Sequence, residues 1–446
     1  MNKRILNLAL PNIVTNITVP LLGMVDTAIV GHLSQSHIGA IAIGTSIFNL
    51  IYWNFGFLRM GTSGFTAQAY GARRLDEAIK VFIRSFTIAI AIALTLLALQ
   101  YPIALLSEVI FNGSSGVIAM ALSYFYVRIW AAPATLGLYA IKGWFIGMQN
   151  SKLPMWIAIF INIVNIICSL VFVLALHWDI KGVALGTVIA QYSGLAVGML
   201  FVVIRYGKLF RKHLSWQFVA DTLHWNQMRL FFKVNGDIFL RTVCLAAVFT
   251  FITSESGRIS DEILAVDTLL LQFFTLFSYI MDGFAYAGES LVGRYIGARD
   301  RKSLVTCVRY LITWGLALTL LFTVAYAIFG ESFLSIFSDK KEVIDASRPY
   351  LFWTLIIPVC GFSAFLFDGI FIGATASRTM RNSMFIATAL FFAVYFGLIL
   401  FPHANFTSDA FRWNNCLFSA FMIFLTARGL GQALMLKSSV YSKADR

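Results

Sequence analysis

Apolar residues come in runs of about twenty along the whole chain, each long enough to cross a hydrocarbon core of about 30 Å as a helix. Twelve runs are predicted to do so, at 5–30, 37–60, 78–105, 117–147, 153–176, 182–204, 227–253, 262–292, 304–329, 348–374, 382–401 and 413–436. Backbone in lipid must satisfy its own hydrogen bonds, and barrel strands need only about ten residues, so runs of this length mean helices. The first run is broken by polar positions. At about 100° per residue, Asn12, Thr15, Val19, Leu22, Gly23 and Asp26 fall on one face, with Asn16 on its flank. Asn12, Thr15, Asn16, Val19 and Leu22 are therefore candidates to line a cavity. A carboxylate inside a spanning helix costs on the order of 2.5–3.5 kcal/mol, which makes Asp26 a functional candidate. The other reading is a satisfied structural carboxylate near the helix end.

The pattern also repeats. Laying GFTAQAYGAR (64–73) over SLVGRYIGAR (290–299) needs a shift of 226 residues, the separation of Gly71 and Gly297. The same shift places Gly31 on Gly257, Ser34 on Ser260, GWFIG (143–147) on GIFIG (369–373), and Ser151-Lys152 on Ser377-Arg378. The period spans six runs, an even number, so the halves share their orientation in the membrane. The expected organisation is a first six-helix lobe at 1–205, a basic cytoplasmic linker at 206–225 and a second six-helix lobe at 226–446. This is a transporter architecture, with a cavity expected between the lobes.

Composition supports the membrane reading. Of the 446 residues, 59% are hydrophobic and only 12% charged, where a soluble domain carries about 25%. The net charge of +13 is placed by topology and not by a nucleic-acid surface. Basic residues gather in the even-to-odd connections: Arg73 and Arg74; Lys152; Arg205, Lys208, Arg211 and Lys212; Arg299, Arg301 and Lys302; Arg378 and Arg381. Odd-to-even connections such as His32–Gln35, Ser107-Glu108, Ser254-Glu255 and Ser408-Asp409 are neutral or acidic, with Lys340 and Lys341 dissenting. The positive-inside rule then predicts a multi-pass protein of the plasma (inner) membrane with both termini cytoplasmic. Lys3 and Arg4 before an apolar run resemble a signal peptide, but Pro11, two Asn and Asp26 interrupt that run, so it is read as an uncleaved span.

The five cysteines, Cys168, Cys244, Cys307, Cys360 and Cys416, lack paired or metal-ligand spacing, and no metal site is expected. There is no Walker A loop, HExxH or GxSxG, and the histidines lie mostly in connections, so neither an enzyme nor a self-powered pump is expected. An ion gradient should supply the energy, with no cofactor beyond the coupling ion. Asn162, Asn165 and Ser169 share a face of the fifth run, and Thr187 and Gln191 are a turn apart in the sixth. With Asp26 they form a candidate hydrophilic pocket, the alternative being ordinary interhelical hydrogen bonds. A proton needs one carboxylate whose burial brings its neutral form within reach, whereas sodium wants several oxygens and more than one formal charge. The second half offers Asn235, Asp282 and Glu289, with Asp237 and Arg241 spaced for a local ion pair. Arg59, Arg128, Lys142 and Asp368 are expected to snorkel at cytoplasmic ends or to pair with one another. The 42 Phe, with Tyr126, Tyr139, Trp53, Trp130 and Trp144, would suit flat lipophilic cations through cation–π attraction, though lipid contact explains them equally.

The stretches ALPNIVTN, LLGMVDTAIVGHLS, YVRIWAAPATLGLYAIKGWFIGMQNSKLP (126–154), GVALGTVIAQY (182–192), NGDIFLRT (235–242) and SYIMDGFAYAGESLVGRYIGA (278–298), in this order, resemble the multidrug and toxic compound extrusion (MATE) family, DinF-like branch. The resemblance implies an all-α polytopic fold of two pseudo-symmetric six-helix lobes and alternating access. It implies export of amphiphilic, cationic compounds against protons or sodium, by a monomer whose partners are those compounds and the bilayer, with no nucleic acid. By this resemblance Asp26 is the first-helix aspartate, Pro11 a proline associated with bending of that helix, and Asn165 and Thr187 members of an ion site. Ser169 stands where many members carry a second aspartate, which favours H+ over Na+. Asp282 matches an acidic position of the DinF branch. A lipid-linked precursor flippase of the same superfamily is the further alternative, and would call for a strongly cationic cavity.

Overall fold

A computed structural model describes residues 1–31, 34–111, 114–213, 215–338, 340–400 and 409–445. His32, Leu33 and Ser408 of the predicted connections lie outside these residues, as do the side chains of Val19 and Leu22. The described elements are all helical, and twelve are long and apolar enough to cross a membrane: α1 (Asn2–Val30), α2 (Ser36–Gly71), α3 (Leu75–Ala98), α4 (Ser115–Gly147), α5 (Lys152–Ala175), α6 (Asp179–His213), α7 (Met228–Ile259), α8 (Asp261–Gly297), α9 (Arg301–Phe337), α10 (Lys341–Gly373), α11 (Ser377–Leu400) and α12 (Asp409–Leu434). The surface is that of a membrane protein turned to lipid. Val203, Ile204, Leu320, Leu321 and Ile328 are each at least 60% exposed, while Asn12, Asp26, Asn165 and Asp267 are at most 3% exposed.

Two helix ends differ from the apolar pattern for local reasons. The third span stops at Ala98, and a separate helix runs from Gln100 to Ile110. Pro102 has no N–H for the carbonyl of Ala98, so a continuous ladder fails there. The sixth span runs on through the basic segment to His213, and a further helix occupies Trp216–Thr222, so most of the expected linker at 206–225 is helical.

Two compact units result, Leu10–Asn235 and Met1–Ala9 with Gly236–Arg446. The first unit therefore keeps the opening of α7, where Phe231 stacks on Phe65 with ring centres 5.6 Å apart and Arg84 Nε donates to the Thr222 carbonyl at 3.1 Å. The second unit holds the first nine residues. There Arg4 donates to the Tyr295 hydroxyl at 3.1 Å and the Trp314 indole to Asn2 Oδ1 at 3.2 Å.

The 226-residue repeat recurs in the backbone. Arg73 and Arg299 have φ of 58° and 55°, and Gln149 and Thr375 have φ of 63° and 48°, both pairs at the predicted shift. Each sits at a helix end where the next N–H reaches back five residues, as Arg74 to Ala69 O and Asp300 to Tyr295 O, both at 3.0 Å. Helix packing repeats too. A Cβ on Gly143 would run into the Arg59 carbonyl oxygen and one on Gly147 into that of Ser63; Gly369 and Gly373 face the carbonyls of Ala285 and Glu289 in the same way. α4 thus lies on α2 in the register that α10 keeps on α8.

Candidate functional site

Asp26 stands on α1, five residues short of Gly31, and is 3% exposed. α1 is helical throughout, with Pro11 and Pro20 inside it. Pro11 removes its own N–H from the ladder, and it comes two residues after the boundary between the units at Ala9. α5 brings Asn165 and Ser169, both fully buried, to the same place, and α6 brings Thr187. Ser169 Oγ donates to Asp26 Oδ1 at 3.4 Å, and Asn165 Nδ2 donates to Thr187 Oγ1 at 3.0 Å. Gly186 makes this approach possible, since a Cβ there would stand 2.8 Å from Ser169 Oγ and 3.0 Å from its backbone nitrogen. Just beyond Ser169 the helix widens into a π turn at Val171–Ala175, a feature often found beside functional sites.

The hydrogen bonds restrict what each group can offer. Thr187 Oγ1 gives its proton to the Val183 carbonyl at 3.1 Å while accepting from Asn165. It also faces Asp26, to which the hydroxyl can turn its proton or offer a lone pair. The carbonyl oxygen of Asn165 has no hydrogen-bond partner among the described residues. Asp26, Asn165, Ser169 and Thr187 are thus brought together as a cluster on three helices.

The other candidates are distributed differently. Asn12 is buried but donates to Ser151 Oγ at 3.0 Å, and Thr15 bonds back to the Pro11 carbonyl at 3.0 Å. Asn16 is half-buried, and Asn162 of α5 donates to the Thr18 carbonyl at 2.9 Å, cross-linking α1 and α5. Tyr126 is 37% exposed and packs its ring edge on Phe125. Asn235, expected in the second lobe, belongs to the first unit: its amide crowds Gly61 of α2 while donating to the Phe231 carbonyl at 2.8 Å. Asp282 is half-buried and acts electrostatically on Arg428, and Glu289 is buried with its backbone against Gly373.

Two expectations about charge are corrected. Asp237 and Arg241 do not pair with each other. Arg241 and Arg428 converge on Asp368, whose other oxygen accepts from Gln432 at 2.8 Å, and Asp237 takes Arg381 at 2.6 Å and Ser377 at 2.8 Å. Contacts from distant helices win because the buried carboxylate on α10 draws both guanidinium groups. Arg128 is no snorkeller: it lies thirteen residues into α4, about 20 Å along the helix. It bonds the Tyr124 hydroxyl, lies 4.8 Å from the Phe48 ring centre and acts on the Asp26 carboxylate. Its position in mid-span was the available signal.

The sequence profile of the MatE family matches residues 11–171 and 238–399. The chain is 35% identical over 434 residues to DNA damage-inducible protein F of Escherichia coli K12, covering 97% of this chain and 91% of that one. It is 25% identical to the chloroplastic protein DETOXIFICATION 44 of Arabidopsis thaliana over 92% of this chain and 82% of that one. Among solved structures it superposes on the Vibrio cholerae MATE transporter VcmN in the bent form with a TM-score of 0.84 at 18% identity, covering 99% and 97% of the two chains. With its twelve apolar helices, its repeat and its profile match, the chain belongs to the MatE family, whose members are membrane transporters and not enzymes.

Proposed function

We propose that this chain is a secondary exporter of amphiphilic, cationic organic compounds in the plasma membrane, with cytoplasmic termini, driven by protons through alternating access. Asp26 is the coupling group. The observation that carries this reading is the hydrogen-bond inventory around it: Thr187 and Ser169 each offer a hydroxyl that can donate or accept. A protonated Asp26 can use both, and an ionised one can use the Ser169 hydroxyl and the charge of Arg128. Both protonation states therefore have partners, as a group that exchanges protons requires. A proton and a substrate that favour opposite states of the transporter exchange because each biases the same equilibrium.

Sodium coupling is the second reading, favoured by the unpartnered carbonyl oxygen of Asn165, a suitable ligand atom. Against it, a metal ion at Asp26 would sit in the field of Arg128, and Ser169 supplies no second formal charge. Reconstituted vesicles with pH and sodium gradients imposed separately distinguish the two. Ethidium efflux is expected to follow the pH gradient and to be lost in Asp26→Asn with protein still folded in the membrane. Full efflux in that variant, or efflux that follows sodium alone, overturns the proposal.

A further inference from the structure

The second unit contains a carboxyl that no sequence argument singled out. Asp267, on α8 six residues after its start at Asp261, is 1% exposed. Its Oδ2 meets Ser256 Oγ of α7, and its Oδ1 accepts from Asn414 Nδ2 of α12 at 2.8 Å. Among the described residues no cation pairs with it, unlike other buried carboxylates of this unit: Asp368 has Arg241 and Arg428, Asp237 has Arg381, and Glu255 has Arg258. Arginine can only donate, so the guanidinium partners of those carboxylates have nothing to offer a proton-bearing oxygen. Serine and asparagine can do both.

Two details suit a proton here. Ser256 has one hydrogen and two acceptors within reach, Asp267 Oδ2 and the Ile252 carbonyl at 2.8 Å. Each contact is a full, unshared hydrogen bond when Asp267 carries the proton and donates to Ser256, which donates to Ile252. The carbonyl oxygen of Asn414, a fully buried residue, has no hydrogen-bond partner among the described residues, although the Tyr350 hydroxyl stands close to the pair. A half-turn of that amide would present this oxygen to an acid proton on Asp267 Oδ1, so the same two partners serve both protonation states.

We propose that Asp267, Ser256 and Asn414 form a second proton-binding site, lying wholly within the second unit and filled and emptied during the transport cycle. The O–H bond forms on Asp267 with a proton taken from water, and it breaks by returning that proton to water. The remaining titratable groups around it are engaged elsewhere or share its sign. From α7, Glu255 bonds Arg258 at 2.7 Å and the Tyr395 hydroxyl of α11 at 2.9 Å. From α9, Tyr326 donates to the Phe273 carbonyl at 2.8 Å and Glu331 pairs with Arg348 of α10. Arg348 also holds Asp345, while Lys341 and Glu342 are exposed at the start of α10. Arg412 of α12 donates to the Ile399 carbonyl at 3.3 Å, Asp409 is exposed, and on α8 itself Asp261 and Glu262 are exposed. Tyr350 alone of these faces Asp267, and it is a neutral phenol at ordinary pH.

Only the site's part in the transport cycle rests on the antiport reading; proton binding itself is tested apart from it. Infrared difference spectra of the full-length protein in lipid, recorded across pH steps without substrate, are expected to show a carboxylic C=O band that is absent in Asp267→Asn and displaced in Asp267→Glu. Asp26→Asn should remove a different band and leave this one. Superimposable spectra of the parent and Asp267→Asn overturn the site. So does a band erased by sodium chloride at constant pH, which assigns the site to sodium. Should Asp267→Asn fail to fold, Ser256→Ala provides the same reading by shifting the band. Ethidium efflux that persists in Asp26→Asn would refute the coupling role of Asp26 without touching these spectra. Efflux unchanged by Asp267→Asn would remove the second site from the cycle.

Discussion

A carboxyl that changes its proton away from water needs neighbours that can bond it in both states, and Asp26 has them. Sodium needs more negative charge than one carboxylate supplies, and the residue facing Asp26 decides the count. Ser169 lies 3.4 Å from Asp26 Oδ1, so Ser169→Asp places a second carboxylate against the first. Two like charges at such a distance need more positive charge than Arg128 alone supplies to stay ionised together. Ethidium efflux by Ser169→Asp is therefore expected to respond severalfold to an imposed sodium gradient that leaves the parent unmoved. Equal indifference in both proteins would show that charge count at this position does not choose the ion. At this scale the sequence was partly legible. Asp26, Asn165, Ser169 and Thr187 carry a periodic polar signal and converge, because each helix turns one face inward. Arg128 and the Asp267 cluster were not, since which distant helices meet is set by packing. Asp237 with Arg241 shows the same limit: spacing allowed a local pair, and a carboxylate 127 residues away on α10 took the arginine.

Among elements, the turns that end helices at equivalent points of the two halves use a left-handed residue, and none of the four is glycine. Thr375, with φ of 48°, is the least suited, because a β-branched side chain crowds its own backbone there. A left-handed conformation costs roughly 1–2 kcal/mol for a residue with a Cβ, and glycine avoids it. Thr375→Gly should thus stabilise the protein by about 1 kcal/mol, less the larger entropy glycine loses on folding. The check is the thermal midpoint in detergent: a rise is expected, and a fall would mean that the threonine side chain contributes more than the strain removes. These turns also explain why the elements were easy to read and their ends were not. An apolar run announces a helix by length alone, and the GAR and GxFIG stretches announced the repeat. Nothing in composition shows that α2 runs on to Gly71 past a break at Phe55, or that α3 stops before Pro102.

For the molecule as a whole, the expected division at 205 and 226 followed charge and loop length, whereas the packing divides the chain at 235. The difference lies in the opening of α7, which a reading by hydropathy assigns to the second half because it begins a new span. Side-chain contacts assign it to the first. Phe231 is 2% exposed against Phe65, Met228 is buried in the same apolar cluster, and the Thr222 carbonyl accepts from the buried Arg84. A first half ending at 205 would lose all three. Losing a buried Phe costs about 3–5 kcal/mol when it leaves a cavity. The lost hydrogen bond from the charged Arg84 guanidinium adds about 1.5–3 kcal/mol. These losses rival the whole stability of an ordinary domain, about 5–15 kcal/mol. Expressed separately in membranes, residues 1–235 should therefore give a monodisperse species in detergent with a measurable melting transition, and residues 1–205 an aggregating one. Both pieces carry the first nine residues without their partners, so that defect cancels in the comparison. Equal melting of the two would place the structural boundary back at the charge boundary, and would mean that the start of α7 is held by the first unit without supporting it.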